Sequence, residues 1–251
     1  MKNVCLLVIS FLPASVYSQT SGEIKYEERV HMHRNFTGDR EHLKEFVPEY
    51  RTSVMVLLFN EIEAMYKPAE NQEDPEMDLT SDGGGRFMRF RSMRENKKLY
   101  QNLAEGRRVE ERMFFDKTFL IKGEPITYAW KLTGEKMQVG SYLCYKAAFE
   151  DSTRTIIAWF TPQIPVPVGP AQFGQLPGLI LHVDINDGER TLTAIDIQLR
   201  ELEKGVMQEP TKGKEVTQEE FDHIVREKTK EMHELGGGPP GGQEIRIIRR
   251  G

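Results

Sequence analysis

The apolar residues of this chain recur mostly at strand spacing. Glu23 to His33 alternates imperfectly, with Ile24, Tyr26 and Val30 set against Lys25, Glu27 and Arg29, and predicts an opening strand. Ser53 to Asn60 (SVMVLLFN) is almost unbroken apolar sequence and predicts a buried strand, and Glu63 to Lys67 predicts a short one before Pro68. From Arg86 to Phe149 the runs RFMRFR, KKLYQNL, RVEERMFF, TFLIK, TYAWKL and MQVGSYLCYKAAF recur at short intervals. Turn signals fall among them at Glu105-Gly106, Lys122-Gly123 and Thr133-Gly134. Thr155 to Phe160, Leu179 to Ile185 and Thr191 to Leu199 add three strands. The last two are joined by Asn186-Asp187-Gly188, whose residues tolerate positive φ.

Helical spacing is confined to two places. Asp39 to Val47 predicts a short helix ended by Pro48. Thr217 and Glu220 form a capping box, and Phe221, Ile224, Val225, Met232 and Leu235 then mark one apolar stripe, stopped by Gly236 to Gly238. The fold class expected is mainly β (a β-rich α+β domain): an antiparallel meander forming a half-barrel or sandwich, with one C-terminal helix packed on it. That domain spans 19–235. Within it, 69–85 (AENQEDPEMDLTSDGGG) is acidic and glycine-ended and is expected to be a mobile loop; it lacks the ligand spacing of an EF-hand. Residues 236–251 read as a Gly/Pro linker (GGGPPGG) and a basic tail (EIRIIRRG).

The first residues stand apart. Lys2, the apolar run Val4 to Leu12 and Ala14-Ser15-Val16-Tyr17-Ser18 have the layout of a signal peptide at 1–18, cut before Gln19. The run is too short to span a bilayer, which takes about 20 residues, and no later run is long enough, so no transmembrane span is expected in the mature chain. Export to the periplasm, or association with the outer membrane, is the expectation. Cys5 lies inside the apolar run, so cleavage leaves Cys144 alone and no internal disulfide can form.

Formal charge is −5, and loss of Lys2 makes the mature chain one unit more negative. No nucleic-acid partner is expected from that balance. The basic crowd of Arg86, Arg89, Arg91, Arg94, Lys97 and Lys98, followed by Arg107, Arg108 and Arg112, reads as a solvated strand face partly neutralised by Glu105, Glu110 and Glu111.

Chemistry-bearing motifs are few. The chain has no G-x-S-x-G elbow, H-E-x-x-H pair, phosphate loop or dinucleotide fingerprint. Catalytic residues and cofactors are therefore expected to be none. Cys144, between Leu143 and Tyr145 in a strand pattern, reads as a small buried hydrophobe. His31 and His33 are the metal candidates, because residues two apart on a strand share a face; His182 and Asp184 form a second such pair.

One segment cannot be helix. AWFTPQIPVPVGPAQFGQLPGLILHV, from Ala158 to Val183, carries Pro162, Pro165, Pro167, Pro170 and Pro177 between two strand-like runs. It reads as strand, extended strap, tight turn and strand. Ile164, Val166, Val168, Phe173 and Leu176 lie on the strap, so the sheet, a ligand or a partner must bury them. The segment resembles the signature of the GLPGLI family of exported bacterial envelope proteins. Here it runs Gln175-Leu176-Pro177-Gly178-Leu179-Ile180, with Gln175 in place of the first glycine and Gly174 one position earlier to supply its flexibility. Ala158-Trp159, Ile164-Pro165, Gly169-Pro170 and the upstream Cys144, Lys146 and Ala147 also match. The resemblance implies a signal-bearing Gram-negative envelope protein, often encoded near outer-membrane transport components; it implies no activity, cofactor or catalytic residue.

The expectation is a non-enzymatic binding, carrier or outer-membrane accessory module, whose partner is an outer-membrane transport component or an apolar ligand. Trp159, Phe173, Leu176, Pro177, Gly178 and Leu179 would line the site or its lid. The alternatives are a metal-binding envelope protein using His31 and His33, and a hydrolase whose only obvious nucleophile is Cys144.

Overall fold

The computed structural model describes residues 20–45, 47–70, 76–79, 88–91 and 97–234. The signal-like segment, the linker and tail, the side chains of Met232 and His233, and Leu235 lie outside the described residues.

Twelve strands form one open sheet. The first run of strands is β1 (Gly22–His31), β2 (Tyr50–Phe59), β3 (Glu63–Pro68), β6 (Lys97–Asn102), β7 (Arg107–Phe114) and β8 (Lys117–Gly123). The second is β9 (Lys131–Val139), β10 (Tyr142–Glu150), β11 (Thr155–Thr161), β12 (Leu179–Ile185) and β13 (Arg190–Leu199), followed by the short β14 (Lys214–Val216). The order is β14-β8-β7-β6-β3-β2-β1-β13-β12-β11-β10-β9. Two antiparallel meanders are thus joined at the centre by β1 against β13, with Gly22 opposite Leu199. Only β14, beside β8, is parallel. A separate hairpin pairs β4 (Glu76–Leu79) with β5 (Met88–Arg91), so the loop expected at 69–85 contains a strand; its residues 71–75 and 80–85 lie outside the described residues.

Chain connectivity requires the sheet to roll. β8 and β9 are ten strand steps apart in the order, which is about 48 Å in a flat sheet. Only Glu124 to Trp130 connects them, and eight Cα steps reach at most about 29 Å. The two ends of the sheet therefore approach one another and the sheet becomes a trough. The mainly β expectation holds: these twelve strands form one open, mixed, curled sheet, the half-barrel alternative, with one C-terminal helix.

Alternation within β2 explains its unbroken apolar run. Met55, Leu57 and Phe59 join the large core on the inner face. Val56 and Leu58 face outward and are covered, together with Met65 and Tyr100, by Met207 and Leu202 from the segment that links β13 to β14. At the far side, α1 (Gln218–Glu234) packs Phe221 and Val225 on Phe119, Ile121 and Val216. Its capping box is formed: the Thr217 backbone N–H donates to Glu220 Oε2 (2.8 Å) and the Glu220 backbone N–H to Thr217 Oγ1 (3.2 Å). Among the described residues, no helix is long and apolar enough to cross a membrane.

Several local expectations are corrected. Asp39 to Val47 is not α-helix; a 3-10 helix covers Gly38–Glu45. Thr127 to Trp130 of the TYAWKL run precedes β9 as non-strand chain. The Thr133-Gly134 turn signal instead marks an irregularity inside β9, where Tyr145 and Ala147 face Lys136 and Leu132.

The inner face depends on one side-chain bond. β12 pairs with β13 only from His182 to Ile185, so Leu179 and Ile180 leave the ladder while fully buried. The Tyr26 hydroxyl, from β1, donates to the Ile180 carbonyl at 2.6 Å. Burial pushes the Tyr26 pKa well up, so the phenol stays a donor. Tyr26→Phe keeps the ring and orphans that carbonyl, and is expected to cost about 1–3 kcal/mol, read as a lower urea midpoint with an unchanged m-value.

Candidate functional site

The strap is built from proline-centred turns. The Val166 backbone N–H donates to the Ile164 carbonyl (2.9 Å), that of Val168 to Val166 (2.9 Å) and that of Gly178 to Leu176 (2.7 Å). Each bond spans two residues and encloses Pro165, Pro167 or Pro177, whose ring-fixed φ suits the centre of an inverse γ-turn. Prolines and apolar residues therefore alternate: Pro165 and Pro167 are exposed, while Ile164, Val166 and Val168 are buried. The strap also completes the ladder that β12 leaves, because the Leu179 N–H donates to the Ile164 carbonyl (2.9 Å) and the Ile180 N–H to the Val168 carbonyl (3.0 Å).

Of the residues expected to line a site, Phe173, Leu176, Gly178 and Leu179 come together inside the core, and Pro177 lies exposed at the turn. Trp159 joins them only in part, as a partly buried residue packed against the same core. It pairs with Lys146 and His182 and alternates with Ala158 and Phe160, which face the core. It is half-buried on the other side of the sheet, with the Lys146 ammonium 6.0 Å from its ring centre. The residues that do hold the strap were not singled out as such. Tyr128 packs 5.4 Å from Phe173 and 5.2 Å from Phe149 between ring centres, and its hydroxyl accepts from Gln172 Nε2 (3.1 Å). Trp130 Nε1 donates to the Gly174 carbonyl (3.0 Å).

Backbone geometry corrects one expectation about the motif. Gly174 does not replace the missing glycine: Gln175 itself adopts φ +66°, a region unfavourable to a side chain. Gly178 is required for a different reason. At φ +147°, a Cβ there would sit 2.1 Å from the Thr161 carbonyl oxygen.

A second feature is the charged floor of the trough. Leu57, Tyr66, Leu99, Glu110 and Ile121 form one cross-strand row on the inner face. Glu110, 1% exposed, is ion-paired with Lys97 (3.3 Å) and Arg112. Burial pushes its carboxyl pKa up, but Lys97, Arg112 and Arg108 pull it down by more, so it lies below the usual glutamate value. Arg108, 4% exposed, donates from Nη2 to Gln218 Oε1 (2.9 Å) at the start of α1. The basic face is therefore solvated only in part. The neutralisation expected of the glutamates does form: Arg107 bonds Glu105 (3.1 Å) and Glu209 (2.6 Å), and Lys98 pairs with Glu111 (3.3 Å).

The metal and nucleophile candidates fare differently. β1 ends at His31, and His33 lies in a 3-10 turn (Met32–Asn35), so the two do not share a strand face. Their ring centres are 6.3 Å apart. His31 Nε2 lies 3.3 Å from Glu49, and His33 Nε2 lies 2.7 Å from the Val47 carbonyl. Among the described residues, no three His, Cys, Asp or Glu side chains group to hold an ion. His182 meets Thr193 Oγ1 through Nδ1 (2.8 Å), and burial lowers its pKa against the pull of Asp184. Cys144 is fully buried, and desolvation pushes its thiol up to about 11, which leaves little thiolate at neutral pH. A shallow groove of about 490 Å³ between β14 and α1 is lined by Val216, Glu220, His223, Ile224 and Arg226, among others, without convergent chemistry.

A family profile described as a protein of unknown function (Porph_ging) matches residues 148–182, from late β10 through the strap into β12. No curated protein sequence matches the chain. Among solved structures, PNGF-II is similar in fold, in C2 and in P21 crystals. Both give a TM-score of 0.54, at 14% and 13% identity, over 82% of this chain. Those matches cover 32% and 33% of PNGF-II, so the chain spans about a third of that protein's length. At this identity the likeness is one of fold alone.

The strap and the floor fix the expected sign of three substitutions. Gly178→Ala is expected to destabilise the fold by about 3 kcal/mol or more, because the clash is with backbone. Gln175→Gly is expected to stabilise it by up to about 1 kcal/mol; parallel urea titrations distinguish the two signs. Glu110→Gln is expected to cost about 1–3 kcal/mol near neutral pH by removing the buried carboxylate that pairs with Lys97 and Arg112. A depressed carboxyl contributes stability above its unfolded value of about 4.3 and loses it as pH falls through the folded value. Wild type should therefore lose stability more steeply than Glu110→Gln between pH 5 and 3, measured by thermal melts.

Proposed function

We propose that this chain is an exported Gram-negative envelope protein of the GLPGLI kind, acting as a non-enzymatic accessory module that binds another envelope component. The observation that carries this reading is the strap. Ile164, Val166, Val168, Phe173 and Leu176 are buried by the protein's own sheet, so the apolar half of the trough is filled from within. That favours a rigid partner-binding module over a carrier that opens for a lipid. The signal-like N-terminus and the Leu176-Pro177-Gly178-Leu179-Ile180 motif support export and kinship. The inert environment of Cys144 argues against the hydrolase reading.

Purification from the native envelope, with intact and native mass spectrometry and cross-linking, tests the proposal. The expected result is a chain beginning at Gln19, with no stoichiometric lipid and a cross-linked outer-membrane protein. A retained segment 1–18 in cytosolic protein would overturn export. A stoichiometric lipid would overturn the accessory role in favour of a carrier.

A further inference from the structure

β14 is the last strand in the order and pairs only with β8, so no described strand takes its outer edge. The chain passes from β14 almost directly into α1, and the shallow groove of about 490 Å³ lies between the two. Its apolar lining is Val216 and Ile224, which belong to the small core of Phe119, Ile121, Phe221 and Val225. Its charged lining is Glu215, Glu219 and Glu220, with Lys214 and Arg226. Glu215 bonds Lys122 at 2.6 Å. Glu219 and Glu220 are paired with no cation among the described residues; Glu220 accepts from the Thr217 backbone N–H. An edge with unpaired backbone groups is a template for a further strand.

The chain itself carries a segment suited to that edge. Beyond α1, residues 236–242 are glycine and proline alone, and 244–251 read EIRIIRRG. Ile245, Ile247 and Ile248 are the only large apolar residues after Leu235, and β-branched residues favour strands. Three arginines stand there against one glutamate, a balance opposite to that of Glu219 and Glu220. Reach permits the return. Ile224 lies ten residues before the end of α1 at Glu234, about 15 Å along the axis. Nine residues, 235–243, separate Glu234 from Glu244 and extend up to about 30 Å, and their glycines allow a sharp reversal. Length also fits: α1 rises about 10 Å from Glu219 to Arg226, which is about three strand residues. Tethering supplies an effective concentration near the millimolar range, so weak contacts suffice.

We propose that the tail 244–251 folds back into the groove between β14 and α1 and extends the sheet by one short strand. Its isoleucines meet Val216 and Ile224, and its arginines meet Glu219 and Glu220. Docked there, the tail closes this end of the sheet to strand addition by another chain.

Amide hydrogen exchange on the full-length protein tests the docking. Amides of 245–248 are expected to exchange at least about tenfold more slowly than an unstructured peptide of the same sequence, at a rate independent of protein concentration. Ile247→Asp sets a charge against the apolar lining and should return them to the unstructured rate, while β1 and β13 keep their protection. Glu219→Lys removes an acid that the capping box does not use, and should speed tail exchange more at low salt than at high salt. Exchange at the unstructured rate in the wild type, or unchanged protection in Ile247→Asp, overturns the docking. Protection that rises with protein concentration also overturns it and assigns the groove to the tail of a second copy. Any such failure leaves the accessory-module reading standing, because that reading is judged by lipid content and partner capture.

Discussion

Where β12 parts from β13, buried backbone groups must find partners that the sheet no longer supplies. Tyr26 donates to the Ile180 carbonyl, and the Ile164 and Val168 carbonyls accept from Leu179 and Ile180. These bonds let the chain bring a proline-rich segment inside the trough without orphaned polar groups. The apolar core, the aromatic cluster of Tyr128, Phe149 and Phe173, and the close pass of Gly178 over Thr161 all assume that arrangement. Removing the strap would expose fully buried side chains from β11 and β12 at once.

The inner face is divided by its chemistry. On the strap side it is dry and apolar; toward α1 it carries Glu110 among three cations and the Glu28–Arg190 pair. Buried charges are weak stabilisers but costly when stranded, and these tie together strands from both meanders. Arg108 links β7 to the first residue of α1, and Arg112 adds its contact with Phe221. The helix is therefore seated by directional polar contacts as well as by its apolar stripe.

Much of the strand content was legible because the period-two pattern is strong. β2, β3, β11, β12 and β13 lie within a few residues of their predicted spans, and the capping box of α1 formed as read. β14 was missed because three residues, Lys214–Val216, give no period. The central pairing of β1 with β13 was invisible to local pattern, being set between residues nearly the whole domain apart. Within the candidate site, Phe173, Leu176 and Leu179 were recognised as needing cover. Trp159 was grouped with them by proximity in sequence, although alternation with Ala158 and Phe160 already sets it on the opposite face. Arg108 and Glu110 read as surface because charge suggests exposure; only tertiary packing against α1 buries them. Tyr26 and Tyr66 carried no sequence signal beyond being aromatic residues in strands.

The pairing of Gly22 with Leu199 also governs when the domain can assemble. β1 sits between β2 and β13 in the middle of the sheet, so a chain emerging from its N-terminus must hold half of its central strand open until the last long strand has appeared. Closing a loop of that length is slow. Meanwhile the β1 edge and the apolar face of β2 remain exposed, and are open to chaperones or to misassociation. The architecture thus makes the closing of its central pair a late event, after both meanders have been made.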